Sequence, residues 1–216
     1  MKVGKNTFIA KNAVIIGDVE IGEKCSIWYN AILRADLNRI YIGDESNIQD
    51  CCVIHCSKEN SVTIGKNVSV GHGAIVHGAK IEDDCIIGIN STVLDGSKIG
   101  KGSIVAANAI VLPNTVIPPN SLVAGVPAKV IREDEKLIEE IRKNSSIYVE
   151  LAERYLKGGF EEGKKCPVCN GNMEKIASGK DFPPIPFIKI PDWIKEVDAY
   201  KCNSCGFVGL WICHSL

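Results

Sequence analysis

The stretch "IEDDCIIGINSTVLDGSKIGKGSIVAANAIVLPNTVIPPNSLV" (residues 81–123) carries an aliphatic residue at every sixth position. The same period runs through residues 3–33 and resumes, after two shifts of register, in residues 42–54 and 64–76. Six residues are too long for the alternation of a simple strand and incommensurate with a 3.6-residue helix. The period is typical of hexapeptide-repeat solenoids. It therefore predicts a mainly β chain in which residues 1–132 form a left-handed parallel β-helix.

Composition and charge limit which binding partners and which cellular compartment we expect. The chain has 216 residues, a formal net charge of −1 and 24% charged residues, a balance that does not favour nucleic acid or an anionic membrane as a partner. It has no apolar segment of about 20 residues and no pattern of a secretory signal, so we expect a cytoplasmic protein without a membrane span. Ten cysteines in such a chain favour buried small residues and metal ligands over disulfides.

The repeat brings three histidines into a defined geometry. Three hexapeptides make one triangular coil, so positions three steps apart stack at the strand spacing of about 4.8 Å. His55 and His77 occupy the same repeat position on adjacent coils, so they are predicted to project from one face and to share a metal. His72 belongs to the preceding face, with a corner between it and His77. A third ligand would therefore come from a neighbouring subunit, and a cyclic homotrimer closes such a contact.

Polar residues are predicted one coil below the histidines. Arg34 stacks beneath His55, and Asp50 stacks beneath His72. We therefore expect an ion pair between Arg34 of one subunit and Asp50 of the next. Gln49 adjoins Asp50 on the same face, and Asp36 is placed to accept a second hydrogen bond from the guanidinium.

These residues lie in "LRADLN", "SNIQD", "VIHC" and "GHGAIVHG", a combination that resembles the gamma-class carbonic anhydrase family. The resemblance covers about residues 1–157 and is greatest to the short-loop, cytosolic branch. It implies a homotrimer with three interfacial metals, each bound by two histidines of one subunit and one of its neighbour. It implies these roles: His55, His72 and His77 as ligands, Arg34 with Asp50 as the inter-subunit ion pair, Asp36 as its support, and Gln49 beside the metal-bound solvent.

The resemblance also implies a lyase activity, the reversible hydration of carbon dioxide to bicarbonate. Three imidazole ligands suit Zn²⁺ first, and they also accept Fe²⁺ or Co²⁺. The chain departs from the best-known branch, which has glutamates on acidic loops over the site: here Leu37 follows Asp36, and Glu59 is the one carboxylate in the insertion "CSKEN". The alternatives are a thioesterase, a hexapeptide acyltransferase, and a metal-stabilised trimeric scaffold that acts through its C-terminal domain.

Residues 133–159 are predicted to form an amphipathic α-helix that packs on the β-helix. Acidic residues open its first turn, apolar residues recur at helical spacing, and two glycines end it. For Tyr148 and Tyr155 core packing is favoured, and the alternative, by resemblance to some relatives, is that one of them reaches the metal pocket. Among the cysteines of the repeat, Cys25, Cys52 and Cys85 are predicted to be buried, and Cys56 is predicted to lie at the surface.

The last segment, residues 164–216, is predicted to be a zinc ribbon. Two Cys-x-x-Cys pairs, "CPVC" and "CNSCG", supply four thiolates: Cys166, Cys169, Cys202 and Cys205. Zn²⁺ is the expected metal, and iron is the less favoured one. The aromatic residues between the two pairs need burial or a partner, so a protein partner of the ribbon is expected.

Overall fold

The protein is described from a computed structural model. The residues that it describes are 1–158, 168–169, 172–179 and 197–212. The chain divides into two compact units, Met1–Gly159 and Phe160–Leu216. Among the described residues, no helix combines the length and apolar character that crossing a membrane requires.

The first unit is built from short β-strands and one α-helix. In chain order the strands are β1 (Lys2–Val3), β2 (Phe8–Ile9), β3 (Val14–Ile21), β4 (Ser26–Ile27), β5 (Ile32–Ile42), β6 (Asn47–Ile48), β7 (Val53–His55), β8 (Val62–Ile64), β9 (Ser69–Val70), β10 (Ile75–His77), β11 (Lys80–Ile81), β12 (Ile86–Ile87), β13 (Thr92–Val93), β14 (Lys98–Ile99), β15 (Ile104–Val105), β16 (Ile110–Val111), β17 (Val116–Ile117), β18 (Ser121–Ala124) and β19 (Lys129–Glu133). The helix is α1 (Leu137–Leu156).

These strands stack into three faces, and within each face the stacked strands run parallel. One sheet runs β2, β4, β6, β9, β12, β15 and β18, with β19 added antiparallel at its end; we call it the helix face. The other sheet turns a corner within β5, whose first residues pair with β7 and whose last residues pair with β8. Strands β7, β10, β13 and β16 form the histidine face, and β8, β11, β14 and β17 form the third face. The predicted hexapeptide-repeat β-helix is confirmed.

The repeat aliphatic residues form the core in register. On the histidine face Leu33, Ile54, Val76, Val93 and Val111 pair with one another from coil to coil, and all are fully buried. Burial of each such side chain stabilises the fold by about 1.5–3 kcal/mol. Since inward and outward positions alternate along a strand, the residues on both sides of each of these aliphatics face outward. The positions that follow the aliphatics include His55 and His77 of the predicted site.

All cysteines of the first unit are buried except Cys51, which is exposed. Cys25, Cys52 and Cys85 are fully buried, as predicted, and burial raises the pKa of the Cys52 thiol to about 12. The prediction for Cys56 was wrong, because it too is fully buried. Its neighbour His55 points outward, so the next residue along the chain turns inward.

Helix α1 packs on the helix face against β2, β4, β6 and β9. Its buried side chains include Leu137, Ile141 and Ala152. Near its N-terminal end Arg142 Nε donates to Asp84 Oδ1 at 2.9 Å, and Asp84 is only 2% exposed. Near its C-terminal end the ring of Tyr155 lies 5.1 Å from that of Trp28. The helix is therefore fixed near both ends, which sets the position of Tyr148 between them.

The second unit contains a three-stranded antiparallel sheet. Its strands are β20 (Met173–Gly179), β21 (Val197–Cys202) and β22 (Val208–Ile212), with β21 in the middle. Met173 and Cys202 are buried, and Tyr200 and Phe207 pack against them. Antiparallel strands beside a cysteine cluster are compatible with a ribbon. The predicted ligand Cys166 lies outside the described residues.

Candidate metal centre

His55 and His77 form a facing pair of imidazoles on the histidine face. They end β7 and β10, which are adjacent parallel strands, and the two residues are directly paired in register. His55 Nδ1 lies 2.9 Å from His77 Nε2, and the ring centroids are 4.9 Å apart. Both residues are half-buried. The repeat therefore stacks them as the sequence predicts, with one ring nitrogen of each directed at the other.

The other ring nitrogen of each imidazole contacts a carboxylate. His55 Nε2 lies 3.1 Å from Asp36 Oδ1, and His77 Nδ1 is hydrogen-bonded to Asp95 Oδ2. Burial alone would raise the pKa of Asp95, but hydrogen bonds from Ser57 and His77 hold it below its usual value. Asp95 was not among the residues predicted from the sequence. The available signal was its position two residues after Val93, one coil above His77.

His72 lies at the corner that follows β9, away from the other two histidines. Its Nδ1 is 2.8 Å from Asp50 Oδ2, and its backbone N–H donates to Gln49 Oε1 at 3.2 Å. On the opposite side of the ring, Nε2 lies 3.5 Å from the hydroxyl oxygen of Tyr148. Tyr148 also packs against Trp28, with ring centroids 5.8 Å apart. Tyr148 therefore packs against Trp28 and also contacts His72, a predicted ligand.

Gln49 is held by a chain of buried amides. It is 5% exposed, and its Nε2 donates to Asn47 Oδ1 at 3.0 Å. Asn47 Nδ2 in turn donates to Ser69 Oγ at 2.8 Å. This chain, together with the His72 N–H that donates to Gln49 Oε1, fixes which end of the Gln49 amide is the donor.

Arg34 stacks beneath His55 and pairs with Asp36 within the same chain. The two residues Arg34 and His55 are partners in register, and Arg34 donates to Asp36 Oδ2 at 2.6 Å. This hydrogen bond lowers the pKa of Asp36. Asp50 accepts a backbone N–H from Tyr29 and contacts His72. The predicted pair between Arg34 and the Asp50 of another subunit concerns a second chain and stays a prediction.

The donor set fits a divalent cation. Two imidazole nitrogens face each other, and the second nitrogen of each ring is held by a carboxylate, an arrangement that is usual for metal-binding histidines. Among the described residues of one chain, His72 does not join His55 and His77 in a group whose ligand atoms lie within 4.8 Å of one another. A three-histidine site built from these residues therefore needs two chains.

A second candidate centre is a cluster of thiols in the second unit. The ligand atoms of Cys169, Cys202 and Cys205 lie within 4.8 Å of one another, and the Sγ atoms of Cys169 and Cys202 are 3.6 Å apart. The backbone N–H groups of Ser204 and Cys205 donate to Cys202 Sγ at 3.4 and 3.5 Å. These hydrogen bonds, the one from Cys205 foremost, lower the pKa of Cys202 to about 6. The cluster favours a thiolate that can bind a metal.

Comparison with known proteins first identifies the repeat. A family model described as bacterial transferase hexapeptide (six repeats) matches residues 1–35 and 78–113, and one described as hexapeptide repeat of succinyl-transferase matches residues 61–86. Among solved structures, a hexapeptide transferase family protein from Anaplasma phagocytophilum is 37% identical, with a TM-score of 0.68. The match covers 71% of this chain and 92% of that protein. Both comparisons support the repeat fold.

Curated relatives identify the family. A probable carbonic anhydrase of Methanocaldococcus jannaschii is 55% identical over 152 residues, which cover 70% of this chain and 96% of the relative. The mitochondrial gamma carbonic anhydrase 2 of Arabidopsis thaliana is 42% identical over 159 residues, 70% of this chain and 57% of the relative. The chain therefore belongs to the gamma carbonic anhydrase family.

Proposed function

We propose that the protein is a homotrimeric carbonic anhydrase whose divalent cation is held by His55 and His77 of one subunit and by His72 of the next. The observation that carries this proposal is the facing pair of imidazoles at 2.9 Å, with each outer nitrogen on a carboxylate. Zn²⁺ is the expected cation, and Fe²⁺ or Co²⁺ would also suit imidazole. When bound, it would lower the pKa of water towards about 7 and so supply hydroxide for attack on carbon dioxide.

The outward column of the histidine face supports contact with a second copy. In register this column is mostly apolar, with Thr92 its polar member: Val14, Ile32, Val53, Ile75, Thr92 and Ile110. The corresponding column of the third face is mostly polar or charged: Lys2, Glu20, Tyr41, Thr63, Lys80, Lys98 and Val116. Outward positions of a solvated sheet are normally polar. An apolar column beside His55 and His77 therefore favours burial against another subunit.

Three residues of the chain would support the proposed site. Asp50 holds Nδ1 of His72, so the lone pair of Nε2 is the one that can bind a cation across the interface. Gln49 can donate its remaining amide hydrogen to solvent at the site. Arg34 would donate both to Asp36 of its own chain and to Asp50 of the next subunit, and it would so connect the two subunits through charge-assisted hydrogen bonds.

Other reactions of this fold remain as alternatives. A hexapeptide acyltransferase requires one histidine as a general base and an acyl-CoA site. A thioesterase would use the same cation for hydrolysis, and a scaffold would use the cation only to stabilise a trimer. The pairing of both His55 and His77 with carboxylates favours a cation over a single base. The predicted cytoplasmic location stays a prediction, and one relative named above is mitochondrial.

The test of this function is stopped-flow carbon dioxide hydration on anaerobically purified full-length protein, together with metal content per chain. We expect hydration that disappears on chelation and returns with Zn²⁺, Co²⁺ or Fe²⁺. Metal-replete protein without hydration would contradict the carbonic anhydrase proposal. Binding of acetyl-CoA would then favour the acyltransferase, and hydrolysis of thioesters would favour the thioesterase.

A substitution at the apolar column tests the interface separately. Ile75 is 39% exposed in the single chain, so Ile75→Lys should be tolerated by the fold but should place a charge in the interface. We expect sedimentation to show monomers and hydration to fall by more than about tenfold. Val116→Lys, on the third face at a residue 68% exposed, is the matched control and should remain trimeric and active. A trimeric, active Ile75→Lys variant would place the interface elsewhere.

We also propose that the second unit is a zinc ribbon with four thiolate ligands, Cys166 joining Cys169, Cys202 and Cys205. The clustered thiols and the N–H groups directed at Cys202 support this proposal. A unit this small builds little hydrophobic core, so bound metal would supply much of its folding free energy. A protein partner of the ribbon is part of the same proposal.

A further inference from the structure

We infer that Asp95 is a positioning residue for the cation site, acting through His77; the inference rests on the proposed function. Asp95 follows β13, one coil above β10, and its Oδ2 is hydrogen-bonded to His77 Nδ1. With Nδ1–H donating to the carboxylate, the lone pair of His77 is on Nε2, the nitrogen that faces His55. Asp95 thus selects the tautomer of His77 that can bind a cation.

The glycine after His77 provides the space for this contact. Gly78 has φ +53, and a Cβ atom built on it would lie 2.1 Å from Asp95 Oδ1. A side chain at position 78 would therefore push the carboxylate away from the imidazole. The backbone conformation at Gly78 and the position of Asp95 are thus linked, and both depend on the absence of a side chain between the coils.

The carboxylate of Asp95 is also fixed from its other side. Asn60 Nδ2 lies 3.5 Å from Asp95 Oδ1, and the side chain of Ser57 hydrogen-bonds to the same carboxylate. Ser57 and Asn60 close the short turn after His55, where Ser57 N–H donates to the Asn60 carbonyl at 3.0 Å. Asp95 therefore connects the turn behind one predicted ligand with the ring of the other. Few rotamers would satisfy these contacts together, so the carboxylate is held in one position.

Asp95 and Asp36, the carboxylates that contact His77 and His55, differ in their charged neighbours. Asp36 is shared between His55 and the guanidinium of Arg34. Within the described part of the chain, Asp95 forms no ion pair with lysine or arginine. Its negative charge is therefore directed at His77, where it increases the basicity of the imidazole and favours a bound cation. We expect Asp95 to contribute more to cation affinity than Asp36 does.

The experiment measures zinc binding by the full-length chain in zinc-buffered solutions, with thermal unfolding of the metal-free protein alongside. Zinc binding that the wild type shows and His72→Ala lacks is assigned to the histidine site. Asp95→Asn keeps the shape of the side chain and an acceptor oxygen but removes its charge. The matched control is Asp83→Asn, because Asp83 also lies over a glycine, Gly65, but accepts the backbone N–H of Lys66.

We expect Asp95→Asn to weaken zinc binding at the histidine site by about tenfold to a hundredfold, with the metal-free unfolding temperature matching that of Asp83→Asn. Asp83→Asn should bind zinc as the wild type does. An Asp95→Asn isotherm that coincides with the wild-type isotherm would overturn the inference. A wild-type protein without any isotherm that depends on His72 would instead overturn the proposed function, so the two failures are distinguishable.

Discussion

His77→Ala is expected to reduce carbon dioxide hydration by more than about a hundredfold, because removal of a ligand should cost more than removal of its hydrogen-bonding partner. His77 is half-buried, and its ring faces His55 at 2.9 Å between the nitrogens. The variant should also lose one of two metals per chain. The measurement is metal content with stopped-flow hydration on trimeric protein, and His72→Ala should give the same result although it lies on another face.

Two outcomes would contradict a catalytic site shared between subunits. If His77→Ala loses the metal and His72→Ala keeps both metal and hydration, the site belongs to one chain and needs no neighbour. If both variants keep hydration, the cation site is not where the reaction takes place. Sedimentation of each variant is the control, since a loss of the trimer would remove hydration for another reason.

The second large effect is expected in the other unit. Cys202→Ser should remove one metal per chain and disrupt the three-stranded sheet of β20, β21 and β22, because Cys202 is the buried thiol of the cluster and accepts two backbone N–H groups. Hydration should stay within about twofold of the wild-type rate, since ligands of the first unit are untouched. Cobalt substitution followed by absorption spectroscopy measures the loss of thiolate ligation, and limited proteolysis measures the loss of structure.

Ser204→Ala is the matched control for that experiment. Ser204 contributes its backbone N–H to the cluster, and its side chain is exposed. The control should therefore retain metal and resistance to proteolysis. A Cys202→Ser variant that keeps the second metal and its structure would exclude a thiolate site. Loss of hydration in the same variant would show that the ribbon supports the reaction.

The position of the two stacked histidines could be predicted from sequence because the repeat fixes it. A period of six residues and three faces per coil places His55 and His77 in register, and the observed pairing of β7 with β10 is the predicted one. The separation of His72 from them follows from the same arithmetic. In a solenoid each coil contacts only its neighbours, so sequence distance converts directly into height along the molecule.

Other features of the site depend on the direction of individual side chains or on a second molecule, and the six-residue period alone does not predict them. The repeat places Asp95 one coil above His77, but their contact also requires the space that Gly78 leaves between the coils. Cys56 was predicted at the surface from its place beside His55, yet neighbours along a strand face opposite ways. The predicted partner of Arg34 belongs to a second subunit, and the proposed ribbon would need its metal in order to fold.

Mixing variants decides whether each site takes ligands from two subunits. His72→Ala and His77→Ala chains, unfolded and refolded together in equal amounts, would give about three quarters mixed trimers, each with one intact site of three. We predict that hydration, absent from either variant alone, returns to about a quarter of the wild-type rate. A mixture as inactive as its separate components, despite verified mixed trimers, would contradict the account.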